Sequence, residues 1–145
     1  MKVLIQRTAK ADVSINGETV SAIRKGILAL VGIEKGDTKE QVEKLAKKVV
    51  NLRIFPDEND KMNLSLIDTQ GEMLIVSQFT LCGDCKKGTR PSFDKSAPPQ
   101  IANELYEYFI SLDKNCGIKA GTGKFGAMME VSLINDGPVT FMLEA

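Results

Sequence analysis

Apolar and polar residues alternate in part from residue 2 to residue 15, with Val3 and Ile5, then Val13 and Ile15, at positions of the same parity. In an extended chain alternate side chains share a face, so this stretch predicts one long strand or two strand halves. Asn16-Gly17 is a strong hairpin-turn dipeptide, and Thr19–Ile23 is the expected returning strand. After Gly26, the apolar run Ile27–Ile33 has the pattern of a buried strand. The period then changes. Thr38 and Gln41 have capping-box spacing, and Val42, Leu45, Ala46, Val49 and Val50 recur at helical intervals. Lys44, Lys47 and Lys48 decorate the outer side of this helix, which is expected to end near Leu52, ahead of Pro56. Asp57–Lys61 is a polar turn. Met73–Leu81 is a second strongly apolar segment and predicts a central strand. Residues 82–99 hold Gly83, Gly88, Pro91, Pro98 and Pro99 and read as a long loop, a feature that is often functional inside a compact domain. Ile101, Leu105, Tyr108, Phe109 and Leu112 predict a second amphipathic helix. Ala127–Ile134 and Val139–Leu143 read as a final pair of strands, joined tightly around Asn135-Asp136-Gly137-Pro138.

No repeat, low-complexity tract or linker interrupts this order, and 145 residues fit one domain spanning 1–145. Strands outnumber helices. The expected class is α/β: a single domain with a curled, barrel-like, mixed or largely antiparallel β-sheet and two main α-helices.

Composition narrows the function. Apolar residues make up 43% of the chain, enough for a core, and 19 basic residues balance 19 acidic ones. Zero net charge argues against holding nucleic acid, DNA in particular, by bulk electrostatics, though a local basic patch can still touch an RNA end. No basic stretch followed by an apolar one opens the chain, and no apolar run reaches the ~18 residues of a membrane span. The expected location is cytoplasmic, with no membrane partner. Three cysteines without a secretion signal argue against a disulfide framework. The chain contains no histidine. A Ser-His-Asp or Cys-His unit, or a zinc site using histidine, is therefore excluded. Catalysis has to use carboxylates, Lys, Tyr, Thr, Ser, Cys, backbone groups or the substrate itself.

Several local motifs have two readings each. Gly121, Gly123 and Gly126 spell G-x-G-x-x-G, but a dinucleotide site needs a helix after it, and here strand-like Met128–Ile134 follows; a loop between strands fits better. Cys82 and Cys85 form one C-x-x-C, with only Cys116 elsewhere and no histidine to complete a metal site. Asp84, Asp94 and Asp136 are too scattered to suggest metal ligands, so no metal or cofactor is expected. Lys86, Lys87, Arg90 and Lys95 lie in the long loop, either as a solvated surface or as a local phosphate contact. Ser77-Gln78-Phe79-Thr80 closes an apolar strand, either as backbone-satisfied polar residues or as part of a site. Gly137-Pro138 is either an ordinary turn or a cis peptide, since X-Pro is where cis is cheap.

Together these segments resemble the D-aminoacyl-tRNA deacylase family of bacteria and eukaryotes, nearly end to end. The resemblance opens at Gln6-Arg7, passes through Ala11, Val13, Gly17 and Leu30-Val31-Gly32, and continues with Leu52-Arg53-Ile54-Phe55 and Lys61-Met62-Asn63-Leu64-Ser65-Leu66. Ser77-Gln78-Phe79-Thr80-Leu81 is similar to the family's first signature. Gly83-Asp84, Lys87-Gly88 and Arg90-Pro91-Ser92-Phe93 match the loop after it. Thr122-Gly123-Lys124-Phe125-Gly126-Ala127 leads to Asn135-Asp136-Gly137-Pro138-Val139-Thr140, which resembles the second. The chain departs from the pattern at Thr8, where valine is expected, at Ser21, where glycine is expected, and at Cys82, where an aromatic residue is frequent.

The resemblance implies a homodimer that hydrolyses the ester of D-aminoacyl-tRNA, and of mischarged glycyl-tRNA, while rejecting L-aminoacyl esters. It implies a cis Gly137-Pro138 that inserts into the partner's pocket around Ser77, Gln78, Phe79 and Thr80. Arg7 is implied to hold that element, and Met129 to lie with the substrate-binding residues. Lys86, Lys87 and Arg90 become candidate tRNA contacts. An ester needs less help than an amide, so fixed backbone donors near Phe79 and Thr80 suit a site without histidine. Three rivals stay open: a non-catalytic RNA-end or DNA-binding module on the same fold, a hydrolase with Cys82 or Thr80 as nucleophile, and a dimeric domain with a structural role.

Overall fold

In a computed structural model, which describes residues 1–145, the chain runs β1 (Lys2–Ile15), β2 (Glu18–Ile23), β3 (Gly26–Gly32), α1 (Lys39–Asn51), the short ribbon strands β4 (Phe55–Pro56) and β5 (Met62–Leu64), and β6 (Glu72–Ser77). A 3₁₀ turn (Phe79–Cys82), α2 (Pro99–Asn115), β7 (Lys119–Thr122) and β8 (Glu130–Glu144) complete it. No helix is long and apolar enough to cross a membrane.

The alternating N-terminal stretch is one strand that serves two neighbours. The first half of β1 pairs antiparallel with β3, and its second half pairs with β2 across the Asn16-Gly17 turn. β3 pairs in parallel with β6, and β6 in parallel with β7, giving the order β2-β1-β3-β6-β7. The sheet twists, as strands of L-residues do, until β2 faces β7. A Cβ on Gly121 would stand 2.2 Å from Ser21 Oγ, so a side chain there would force the Ser21 hydroxyl to turn away. The expected curled, mixed sheet with two helices is the architecture found.

Two cores follow from the curl. Val3, Ile5, Ile27, Ala29, Val31, Met73 and Ile75 face the helices, where Val42, Leu45 and Val49 of α1 meet Leu105, Tyr106 and Phe109 of α2. Ala11, Val13, Ile23, Leu28, Leu74 and Val76 fill the inside of the curl. β3 and β6 are covered on both faces, the physical reason for their unbroken apolar runs. α1 starts as its sequence predicts: Gln41 Oε1 accepts the Thr38 N–H at 2.8 Å, and Thr38 Oγ1 accepts that of Glu40 at 3.3 Å. At the base of the sheet, buried Glu72 accepts from Lys119 Nζ (2.9 Å), the Arg24 N–H (2.9 Å) and Arg24 Nη2 (3.1 Å), tying the start of β6 to the start of β7 and the β2–β3 turn. The Lys119 ammonium and the Arg24 N–H draw its pKa down to about 2.

Three expectations need correction. The strand expected over Met73–Leu81 ends at Ser77, and Phe79–Cys82 coils into a 3₁₀ turn; an apolar run alone does not distinguish a strand from a turn packed on the core. The buried stripe of α2 is Ala102, Leu105, Tyr106, Phe109, Ile110 and Asp113, rotated from the expected one, with Ile101 left 46% exposed. Tyr106 turns inward because its hydroxyl donates to the Ile75 carbonyl at 2.8 Å, which satisfies a buried phenol. Finally, the last two segments are not a hairpin. They are two stretches of one strand, β8, laid antiparallel along β1 from Ser14↔Glu130 to Lys2↔Glu144. The other side of β8 has no strand beside it.

Candidate active site

The candidate residues fall into two groups. The first lies where β6 runs out. Ser77 and Gln78 are half-buried, and Phe79 and Thr80 are exposed. The Gln78 N–H donates to the Val31 carbonyl at 2.8 Å, holding the turn to the end of β3. Gly32 makes that approach possible: a Cβ there would lie 3.0 Å from Leu81 Cβ and 3.1 Å from both Cys82 Sγ and the Gln78 carbonyl. The first i→i−3 bond of the turn runs from the Leu81 N–H to the Gln78 carbonyl at 3.2 Å. The Phe79 and Thr80 N–H groups precede it, so the turn offers them no carbonyl, as for the first donors of any helix. Gln78 Nε2 donates to Thr80 Oγ1. A side-chain amide is no base, so nothing here activates the Thr80 hydroxyl as a nucleophile.

Met129 joins this group. It packs over Gly123, where a Cβ would stand 2.6 Å from Met129 Sδ, and the Gly123 N–H donates to the Ile75 carbonyl at 3.0 Å, next to the end of β6. The glycine-rich segment therefore serves as a close-packed connection from β7 to β8, with no helix after it.

Beyond the turn lies the long loop. Its Asp84 and Ser92 pair through backbone bonds of 2.8 and 3.0 Å. Phe93 follows, its ring 5.0 Å from that of Phe79 and tilted by 58°. Asp84 Oδ1 accepts the Lys86 N–H at 2.9 Å and Oδ2 lies 3.4 Å from Lys95 Nζ; these hold its carboxyl below the usual carboxylate range. Asp84, Lys86, Lys87, Arg90, Ser92, Asp94 and Lys95 line a hollow of about 330 Å³. The C-x-x-C does not act as a pair: Cys82 is buried, with its thiol toward the Ile33 carbonyl at 3.4 Å, while Cys85 is exposed. Burial pushes the Cys82 thiol up, away from a reactive thiolate. No three His, Cys, Asp or Glu side chains converge anywhere in the chain.

The second group lies on the open edge strand. Between Thr8↔Asn135 and Gln6↔Thr140, β8 spends Asp136, Gly137, Pro138 and Val139 opposite Arg7 alone. Such extra residues bulge outward. Gly137-Pro138 forms the exposed tip, and its peptide bond is cis. Gly137 takes φ +149°, and a Cβ there would meet Val139 Cγ2 at 2.6 Å and Val139 N at 2.8 Å. Arg7 is buried beneath the bulge: Nε donates to the Asp136 carbonyl at 2.9 Å, and Nη1 to the Ile54 carbonyl at 2.6 Å. Its Nε also lies 3.4 Å from Asp136 Oδ2.

Asn135 closes the bulge from the other side, and the sequence did not single it out beyond its place in a signature. Its Oδ1 accepts the Val139 N–H at 2.7 Å and its Nδ2 donates to Thr140 Oγ1 at 3.0 Å. Asn four residues before a backbone donor it must reach is a local-bonding signal, but only the bulge makes the two meet. Gly32 and Phe93 were likewise invisible as site residues, because their role is contact with the turn. Within the chain, no hydrogen bond or ion pair joins the bulge to the Ser77–Thr80 turn.

A curled sheet backed by two helices, with an open strand-end turn and an arginine-held glycine-proline bulge, places this domain with small enzymes that share both signatures. The family model for D-Tyr-tRNA(Tyr) deacylase matches residues 4–144, and the chain belongs to that family. Among its relatives is the D-aminoacyl-tRNA deacylase of Thermosipho africanus, 57% identical over 145 residues, which cover 100% of this chain and 97% of that protein. Another is the D-aminoacyl-tRNA deacylase of Haemophilus influenzae, 60% identical, with 99% of each covered. Among solved structures, the c-Myc DNA unwinding element binding protein superimposes with a TM-score of 0.94 at 41% identity, over 100% of this chain and 99% of that one. A probable eukaryotic D-amino acid tRNA deacylase shares the fold, with a TM-score of 0.83 at 17% identity over 98% and 97% of the two chains.

Proposed function

We propose that this chain hydrolyses the ester between a D-amino acid and the terminal ribose of tRNA, at a site made by the Ser77–Thr80 turn of one protomer and Gly137-Pro138 of its partner. It is an ester hydrolase of the deacylase family. The observation that carries the site assignment is the turn after β6, whose Phe79 and Thr80 N–H groups are left without a carbonyl in the turn. Donors fixed in advance stabilise the oxyanion that forms when water adds to an ester carbonyl. The ester is already activated, and the neighbouring ribose 2′-OH is available to position the water. This suits a chain with no histidine. Ser77 and Gln78 set the turn, with Gln78 holding the Thr80 hydroxyl.

Chirality follows from the bulge. The Gly137 and Pro138 carbonyls accept the substrate's α-ammonium, and with ammonium and ester both fixed, an L side chain runs into backbone. A D side chain points to open space. Rejection by clash requires no recognition of the side chain, so many D-amino acids are cleaved, and glycine, with nothing to clash, is cleaved from mischarged glycyl-tRNA as well. Two features support the second protomer. The bulge is exposed and has no bond to the turn of its own chain. It also sits on an edge strand carrying exposed Ile134 (52%), Phe141 (41%) and Met142 (47%), and an unpaired apolar edge invites another chain. Lys86, Lys87 and Arg90 meet tRNA phosphates. The reaction belongs in the cytoplasm, where charged tRNA is used, and the scheme uses no cofactor.

A paired deacylation assay with D-Tyr-tRNA and L-Tyr-tRNA tests this reading. Loss of the D form alone is expected, with Thr80→Ala keeping at least about a tenth of the rate, because the donors belong to the backbone. Similar rates for D and L esters would sink the clash account. No hydrolysis of either would leave a binding module.

A further inference from the structure

We propose that the loop after β6 grips the single-stranded end of the tRNA upstream of its terminal nucleotide: the Phe79–Phe93 ring pair stacks a base, and Lys86, Lys87 and Arg90 hold the adjoining phosphates. This rests on the reading that the ester sits at the Ser77–Thr80 turn.

Phe79 is 56% exposed and Phe93 39% exposed, and the two rings lie 5.0 Å apart on the outer surface. Large aromatic side chains held together in water call for a partner. The pair is supported from behind rather than left loose. A Cβ on Gly83 would stand 3.1 Å from the Phe93 ring, and the Asp84–Ser92 backbone pairing fixes the segment that carries it.

The charge beside the rings has one sign to spare. Residues 84–95 carry Lys86, Lys87, Arg90 and Lys95 against Asp84 and Asp94, a surplus of two positive charges in a chain whose net charge is zero. Lys95 is paired with Asp84 at 3.4 Å, and no carboxylate pairs with Lys86, Lys87 or Arg90. Ser92 and Asp94, the chain neighbours of Phe93, line the 330 Å³ hollow that these cations surround, so the hollow begins one residue away from the ring pair. An aromatic platform beside a cationic groove is the general way proteins hold single-stranded nucleic acid, and stacking tolerates any base. A strand whose last ribose lies at Thr80 passes the rings next and the hollow after them.

The test compares kcat/KM for the same D-amino acid esterified to full-length tRNA and to adenosine alone, which has nothing upstream to grip. In Phe93→Ala, and separately in the triple variant Lys86→Gln, Lys87→Gln, Arg90→Gln, the ratio of tRNA to adenosine ester is expected to fall about tenfold. The slope of log kcat/KM against log salt for tRNA is expected to become shallower by about 2 in the triple variant, from ~0.7 per phosphate contact in a single strand. Anisotropy of a labelled single-stranded RNA oligonucleotide should show weaker binding by both variants. An unchanged ratio, including equal loss on both esters, overturns the proposal, and so does oligonucleotide binding equal to wild type. Gly137→Ala judges the underlying site reading separately: if it leaves both esters cleaved at wild-type rates, that reading fails, while the ratio still decides the loop.

Discussion

Asp113 lies near the C-terminal end of α2, 1% exposed, and no protein donor reaches either of its carboxylate oxygens. Burial alone raises its pKa from 3.8 to about 7, since an apolar surrounding disfavours the charged form. Between those two values the unfolded chain releases a proton that the folded chain keeps. The folded state binds more protons there, so stability falls as pH rises through this window and levels off above it. Three units correspond to about 4 kcal/mol once both states are ionised. Asp113→Asn removes the titration while keeping the shape. From those two pKa values, the gap between variant and wild type should widen in the variant's favour by about 2 kcal/mol from pH 5 to pH 8. Other groups titrate too, but they cancel in the difference between the two proteins. Urea unfolding at matched protein concentration, from about pH 4 to 8, measures that difference directly. Two parallel stability curves, with a gap that does not widen by at least about 1 kcal/mol across the window, would refute the reasoning, because Asp113 would then have a partner that keeps it charged.

Glu72 titrates with the opposite sign. Its pKa is drawn down from 4.5 to about 2, so its contribution is present above the upper value and lost as pH falls toward the lower. Glu72→Gln should flatten that acid limb of a denaturation curve, and the contribution removed should be no more than about 3 kcal/mol, less the screening at its two solvent-reaching cations. Thr8→Val should stabilise the protein by ~1 kcal/mol in thermal or urea unfolding, because the Thr8 hydroxyl is fully buried with no partner. Gly137→Ala pushes a Cβ to 2.6 Å from Val139 Cγ2; D-Tyr-tRNA deacylation should drop by ~100-fold or more, while a thermal melt shows the fold retained.

The enzyme class was legible before any coordinates through resemblance, because two signatures stand in the right order on otherwise matching segments. The missing histidine added only an exclusion, of Ser-His-Asp and Cys-His units. The departures from the pattern become intelligible only in space. Thr8 is a buried hydroxyl without a partner, Ser21 lies against bare Gly121 where the sheet closes, and Cys82 turns its thiol inward to the Ile33 carbonyl.

By itself the sequence determined the elements whose causes are local. The period-two stretch made β1, the Thr38–Gln41 box started α1, Asn16-Gly17 turned the first hairpin, and two-sided apolar runs marked β3 and β6 as covered strands. The tertiary structure decided what depends on neighbours distant along the chain. It bound the final segments to β1 instead of to each other and ended β6 at Ser77, where Gln78 meets Val31 and Gly32 leaves room for the turn. It rotated α2 so that Tyr106 could reach the Ile75 carbonyl, and it set Arg7 under Asp136 across 129 positions of sequence. Periodicity records which side of an element faces away from water. It carries no record of which other element lies there, because an apolar face is satisfied by any well-packed partner, whereas a hydrogen bond needs one particular atom in one place.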